Sequence, residues 1–313
     1  MSLKRFALQS VLSVGILTWV LYTTDVAAIV AILEEADTQY LLLGLGLYLT
    51  GDLISVWKLQ LLLQIRNAPF RILWQYYYVG KLFNAFFPTT IGGDAVKAQK
   101  LRRYFDDFNA YSGVFMERFT GLVALISIAI ITAAVFVEII PTFVHFILYV
   151  VFLPAILAVS AILWNDKLSR HVPTLLSRLP GGHVFDISER IIGFHATVEH
   201  YKSARRTVGL GLLVSIIFHV LLITTNIVFA SAVGMTVDPV YFFVFVPIAA
   251  VVLFLPISIG GFGVRETVYL YFFTQVGAAA AEAVTLALLL NGMIVLSAAM
   301  GGIIYTGESV THD

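Results

Sequence analysis

Two long apolar stretches of this chain are interrupted by the same short pattern. The first carries Pro88-Thr-Thr-Ile-Gly-Gly-Asp-Ala-Val-Lys97 and the second Pro256-Ile-Ser-Ile-Gly-Gly-Phe-Gly-Val-Arg265. Pro88/Pro256, Ile91/Ile259, Gly92/Gly260, Gly93/Gly261 and Val96/Val264 are identical. Thr90/Ser258 keeps a hydroxyl, and Lys97/Arg265 keeps a cation. Proline removes an amide donor and paired glycine frees the backbone, so neither stretch can run as one uninterrupted helix. Broken backbone at matching places in two apolar halves is the pattern of a transporter's binding site.

The surroundings of the motif set its solvent. Of 313 residues, 59% are hydrophobic and only 12% are charged, against about 25% charged in a soluble domain. Most of the chain is therefore solvated by lipid. A formal net charge of zero gives no reason to expect nucleic-acid binding, and zero Cys excludes disulfides and thiolate metal sites. The first apolar run, Phe6 to Tyr22, follows Lys4 and Arg5 like a signal peptide. No small-residue cleavage site follows it directly, so it reads as a retained helix.

The expected fold is an all-α polytopic membrane protein, one transmembrane domain over 1–313. Full spans are expected at about 6–24, 40–62, 110–137, 142–163, 207–233 and 281–305, each near the roughly 20 residues that cross a bilayer. The interrupted stretches, about 72–104 and 241–275, are expected to be re-entrant helical hairpins. The alternative is a pair of ordinary short helices around a loop. Positive charge favours the hairpins. Lys4 and Arg5 place the N-terminus in the cytoplasm. The segment 25–39 then falls outside, with Asp25, Glu34, Glu35 and Asp37 and no basic residue. Lys58, Arg66 and Arg71, then Lys100, Arg102 and Arg103, and the seven basic residues of 164–206 all fall inside. A full crossing in place of either hairpin would spoil that pattern.

Each half then reads span, span, broken hairpin, span: repeat 1 over 6–137 and repeat 2 over 142–305. Three crossings per half is odd, so the second repeat is inverted, with both termini of the chain cytoplasmic. Inverted repeats supply two states that open to opposite sides. Within the cytoplasmic connection 164–206, Ile187, Ile191, Phe194, Val198 and Tyr201 form one apolar stripe on a helix, suited to lie on the membrane surface.

The residues that carry chemistry follow from the motif. Amides at the start of a helix present unpaired N–H groups and a positive dipole end. Gly92, Gly93, Gly260 and Gly261 are therefore expected to face an anion, with Thr90 and Ser258 adding hydroxyls and Lys97 and Arg265 counter-charges. For the first copy the bland alternative is that Asp94 caps its helix and Lys97 snorkels to the interface. Arg265 has no such escape, being the one basic residue between 207 and the C-terminus. Asp52, Lys81, Asp94, Glu117, Arg118 and Glu266 stand in apolar surroundings, where charges face a cavity or a partner. An Asp52–Lys81 pair fits their depths. Glu117 and Arg118 point about 100° apart on a helix and need separate partners. His219 and Asn226, seven apart, share a face that would line a cavity. No nucleotide, metal or cofactor motif is present, so neither catalysis nor a cofactor is expected.

Asn84–Lys97, the pair Glu117-Arg118 and Leu255–Glu266 resemble the signatures of the transmembrane domain of lysylphosphatidylglycerol synthase/flippase proteins, a family that includes flippase-like single-domain proteins. The resemblance covers essentially the whole chain. It implies movement of a lipid, or support of lipid-linked synthesis, at the cytoplasmic membrane. Unlike the family's resistance factors, this sequence carries no C-terminal aminoacyl-transferase domain, so lysyl-lipid synthesis is not implied.

The sequence as a whole predicts flipping of a phosphate-bearing lipid, either a phospholipid or a polyprenyl-phosphate carrier. Its expected partners are membrane lipids, coupling protons or ions, and lipid- or glycan-synthesis enzymes. The competing reading is a membrane-embedded transferase or a scaffold for such synthesis. A transferase would lean on the acidic pair Asp106-Asp107.

Overall fold

The structure is a computed structural model that describes residues 3–64, 69–87, 91–138, 140–164, 201, 203–254 and 257–310. Thr90 and the stripe 187–198 lie outside the described residues. Every regular element among those described is helical: α1 (Leu3–Thr23), α2 (Val26–Glu34), α3 (Thr38–Leu63), α4 (Phe70–Phe86), α5 (Ile91–Leu101) and α6 (Asp107–Val135). Then follow α7 (Thr142–Phe146), a π-helical stretch (Ile147–Phe152), α8 (Leu153–Trp164), α9 (Arg205–Ala232), α10 (Pro239–Leu253), α11 (Val264–Thr274) and α12 (Ala280–Val310).

Four helices are long and apolar enough to cross a membrane, namely α3, α6, α9 and α12. They become five if α1 and α2, bent by 84°, form one broken span. The chain is thus a multi-pass membrane protein, with two of the six expected spans altered. The first does not end in a loop. Asp25 accepts the Ala27 amide at 2.9 Å and starts a second helix, so 25–39 is largely α2. The run 142–163 is helical, but its apolar part, Thr142–Ala158, falls among the shorter helices. Its π stretch ends two residues before Pro154, which has no amide to donate.

Both interrupted stretches are helical pairs joined at the motif. In the first, α4 and α5 approach so closely that a Cβ on Gly93 would collide with the Gly80 carbonyl. On the other side of α4, Gly301 of α12 touches the Tyr78 carbonyl just as tightly. Hydrophobic burial does not drive helices together in lipid, so backbone approach at small residues matters more there. In the second pair, Asp238 caps α10 through the Val240 amide at 2.9 Å. The turn into α11 uses Gly260, Gly261 and Gly263 at φ of 61°, 85° and 82°, a region that side chains disfavour. This turn rests on α1: the Ile259 amide donates to Ser13 Oγ at 2.8 Å, and Gly263 packs against Ser13 and Ile16.

Helix neighbours recur in the two halves. The contacts α3–α4, α4–α5, α5–α6 and α3–α6 have counterparts in α9–α10, α10–α11, α11–α12 and α9–α12. Each hairpin also packs on a long helix of the other half, α4 on α12 and α10 on α6. Helices α3 and α9 pack along each other at the centre. The main core joins α6, α9, α10, α11 and α12, where the rings of Phe242, Phe245, Phe272 and Phe273 meet at centroid distances of 4.8–5.4 Å.

Candidate functional site: two charged cavities between the hairpins

Two adjoining cavities, of about 350 Å³ and about 220 Å³, lie among α3, α6, α9 and the two hairpins. They share Tyr77, Lys81, Arg118, Phe218 and Phe254 as a common wall. The larger is lined from α3 by Asp52, from α9 by Asn226 and from α11 by Arg265 and Tyr269. The smaller is lined from α3 by Lys58, from α5 by Asp94 and Lys97, from α6 by Glu117, and from α9 by His219. Together the walls carry five cations (Lys58, Lys81, Lys97, Arg118, Arg265) and three carboxylates (Asp52, Asp94, Glu117).

The carboxylates hold three of the cations in place. Lys81 Nζ lies 2.5 Å from Asp52 Oδ1 and also reaches Tyr48 Oη at 3.1 Å and Ser297 Oγ at 3.2 Å. That group ties α4 to α3 and α12. Lys97 Nζ sits 2.6 Å from Glu117 Oε2 and 3.3 Å from Asp94 Oδ1. Arg118 Nη2 lies 2.6 Å from Asp94 Oδ2. Lys97, Asp94, Glu117 and Arg118 thus form a neutral quartet bridging α5 and α6. The adjacent residues Glu117 and Arg118 do take separate partners, as their angular separation requires.

Arg265 and Lys58 form no ion pair among the described residues. Arg265 donates through Nε to Asn291 Oδ1 at 2.8 Å. Asn291 in turn donates through Nδ2 to Glu266 Oε1 at 2.7 Å, and the other Glu266 oxygen accepts the Gly263 amide at 2.8 Å. Asn291 therefore fixes the guanidinium without neutralising it. A cation held at depth with neutral partners invites an anion.

Comparison with known protein families decides what kind of chain carries these cavities: residues 6–301 match the family described as the lysylphosphatidylglycerol synthase TM region. The chain belongs to this family. The membership gives it a membrane lipid-related function. No curated protein and no solved structure matches the chain.

The residues named from sequence separate into three groups. Asp52, Lys81, Asp94, Lys97, Glu117, Arg118 and Arg265 all reach a cavity wall. The second group stays away from it. Gly92, Gly93, Gly260, Gly261 and Ser258 line neither cavity. The Gly93 amide is taken by Asn84 Oδ1 at 2.9 Å, and Gly92 packs on the Phe87 ring. Here Gly92 and Gly93 permit close packing, and Gly260 and Gly261 permit a left-handed turn. Glu266 is fully buried behind Arg265 as a brace for the start of α11. Thr90, the third group, lies outside the described residues.

Lys58 is the wall residue that sequence reasoning placed elsewhere. Read as a basic residue of the loop after the second span, it is instead 5% exposed inside α3. A signal was present: Tyr48, Asp52 and Ser55 step by four and three along α3, and Lys58 continues the stripe. The pair Asp106-Asp107 is spent on local structure. Asp106 accepts the Asn109 amide at 2.9 Å as the cap of α6, and Asp107 pairs with Arg102 at 2.6 Å.

Proposed function

We propose that this chain translocates a phosphate-bearing lipid across the cytoplasmic membrane, its headgroup passing through the paired cavities. The cargo is a phospholipid or a polyprenyl-phosphate carrier. The observation that carries the reading is the excess of cations in the cavity walls, with Arg265 fixed by a neutral amide. Phosphate oxygens match the forked N–H donors of a guanidinium, and Arg265 lines the larger cavity. The recurring helix neighbours support two repeats over 6–137 and 142–305, and basic-residue placement supports an inverted second repeat with both termini cytoplasmic. Alternating access between the repeats then exposes the cavities to each side in turn. The buried Lys81–Asp52 pair and the quartet around Asp94 are the elements whose partners would exchange during that motion, with protons or ions as the coupling species. Lipid- or glycan-synthesis enzymes would supply or consume the cargo, and the chain itself performs no bond chemistry in this reading.

The test is reconstitution in liposomes, following leaflet exchange of labelled phospholipid and polyprenyl-phosphate analogues. Wild-type protein should exchange at least one class, and Arg265→Ala should lose that exchange while remaining folded. Folded wild-type protein that exchanges none of the analogues would overturn the proposal in favour of a scaffold or a transferase.

A further inference from the structure

Lys58 stands apart from the other cations of the smaller cavity. Lys97 and Arg118 each have a carboxylate within 3.3 Å, and Lys81 has Asp52. Lys58 is 5% exposed and forms no ion pair among the described residues. Its one hydrogen bond there runs from Nζ to Ser215 Oγ at 3.2 Å. An ammonium has three donors, so Ser215 accounts for one of them. The hydroxyl is itself oriented by the α9 backbone, donating to the Gly211 carbonyl at 2.8 Å. On the α6 side, Nζ faces Gly121, where an added Cβ would stand 3.4 Å from the nitrogen. No side chain of that residue fills the space. His219, on the same wall, donates from Nε2 to the Gly121 carbonyl at 3.0 Å. A buried charge that no carboxylate touches is costly to keep, and an anion in contact with it would lower that cost.

We propose that Lys58 is a second anion station, taking a phosphate oxyanion in the smaller cavity as Arg265 takes one in the larger. The inference rests on the lipid-translocation reading of the Arg265 site and adds a step to it. The headgroup is handed between the two stations past Arg118, which belongs to both walls. Arg118 is held by Asp94 on one side, so it screens the passage without itself retaining the phosphate.

The experiment counts bound anions on the purified full chain in detergent, by titration calorimetry and native mass spectrometry with short-chain phosphatidic acid. Wild type should bind two equivalents. Arg265→Met should keep the equivalent at Lys58, and Lys58→Met should keep the one at Arg265. Gly121→Ala, which sets a methyl group against Nζ and keeps the charge, should weaken the Lys58 equivalent by about tenfold or more. Melting without ligand separates this role from a structural one: Lys58→Met should melt no lower than wild type, since it removes a buried charge that no carboxylate contacts. Inorganic phosphate is the parallel probe. Saturation of the Lys58 station by lipid alone assigns it to a headgroup, and equal saturation by inorganic phosphate assigns it to the free ion. An unchanged two-site isotherm in Lys58→Met overturns the station. Loss of leaflet exchange with both stations still occupied would instead count against translocation.

Discussion

Arg265 meets Asn291 across the same kind of helix contact in which Lys97 meets Glu117. The first pair joins α11 to α12 and the second joins α5 to α6, at 2.8 Å and 2.6 Å. The motif therefore supplies a cation twice, but the facing helix neutralises it only once. That difference leaves Lys97 paired with a carboxylate and Arg265 held by a neutral amide.

Arg265→Gln should consequently lower phosphate-lipid exchange in liposomes by at least about tenfold, equivalent to roughly 1.4 kcal/mol of lost interaction. Its melting temperature should match or exceed that of wild type, because the charge removed makes no direct ion pair. A variant that melts much lower would make Arg265 a structural residue.

Lys97→Met should behave in the opposite way. It strands the Glu117 carboxylate, which is 8% exposed, and should cost about 3–5 kcal/mol of stability. The double variant Lys97→Met/Glu117→Leu should recover much of that loss. Equal melting of the single and double variants would show that the pair is not coupled.

Gly93→Ala should open the first hairpin, since the new methyl group collides with the Gly80 carbonyl. Overpacking of this kind costs about 1–3 kcal/mol. Gly15→Ala, at a helical glycine with open space around it, is the control and should leave the melt unchanged or raised. Equal melting of the two variants would refute the close approach of α4 and α5.

Asp106 offers a pH test outside the spans. The Asn109 amide donates to its carboxylate and holds it below the ordinary value of 3.8. A carboxyl depressed in the folded state adds stability above its unfolded value and loses it as pH falls through the folded one. Asp106→Ala should therefore cost about 1 kcal/mol near neutrality, as for other caps. The gap from wild type should narrow below pH 3.8. A gap that does not change with pH would remove the capping charge from the account.

The absence of cysteine makes the inverted layout directly testable. Single substitutions Arg103→Cys, Glu34→Cys and Gln275→Cys lie at exposed positions. A membrane-impermeant thiol reagent added outside intact cells should label the second and third and spare the first. Labelling of Arg103→Cys from outside would break the proposed orientation.

The long helices and the helix pair around each motif are legible because lipid imposes a minimum apolar length and tolerates Pro and Gly only where neighbours satisfy the backbone. The bend at Thr24-Asp25 was not read, although Asp25 before Val26–Leu33 is a cap followed by an apolar run. Exterior acid and helix cap use the same residue, and charge placement alone prefers the first. Lys58 was misplaced for a related reason: a lysine near the end of a span looks like an interfacial anchor until α6 and α9 enclose it. The motif glycines attracted a chemical role because a helix start favours anions, yet Asn84 takes the Gly93 amide first. Such competition between local partners is settled by tertiary contacts that no spacing reveals.

The hydrogen bond from the Ile259 amide to Ser13 ties the second hairpin's turn to the chain's first helix, while α4 leans on α12 and α10 on α6. Each hairpin is thus anchored in the half to which it does not belong by sequence. A motion of either hairpin must carry helices from the opposite half or break their contacts. In the proposed alternating-access motion the bodies that rock would therefore be composites, and the midpoint of the chain would be no hinge.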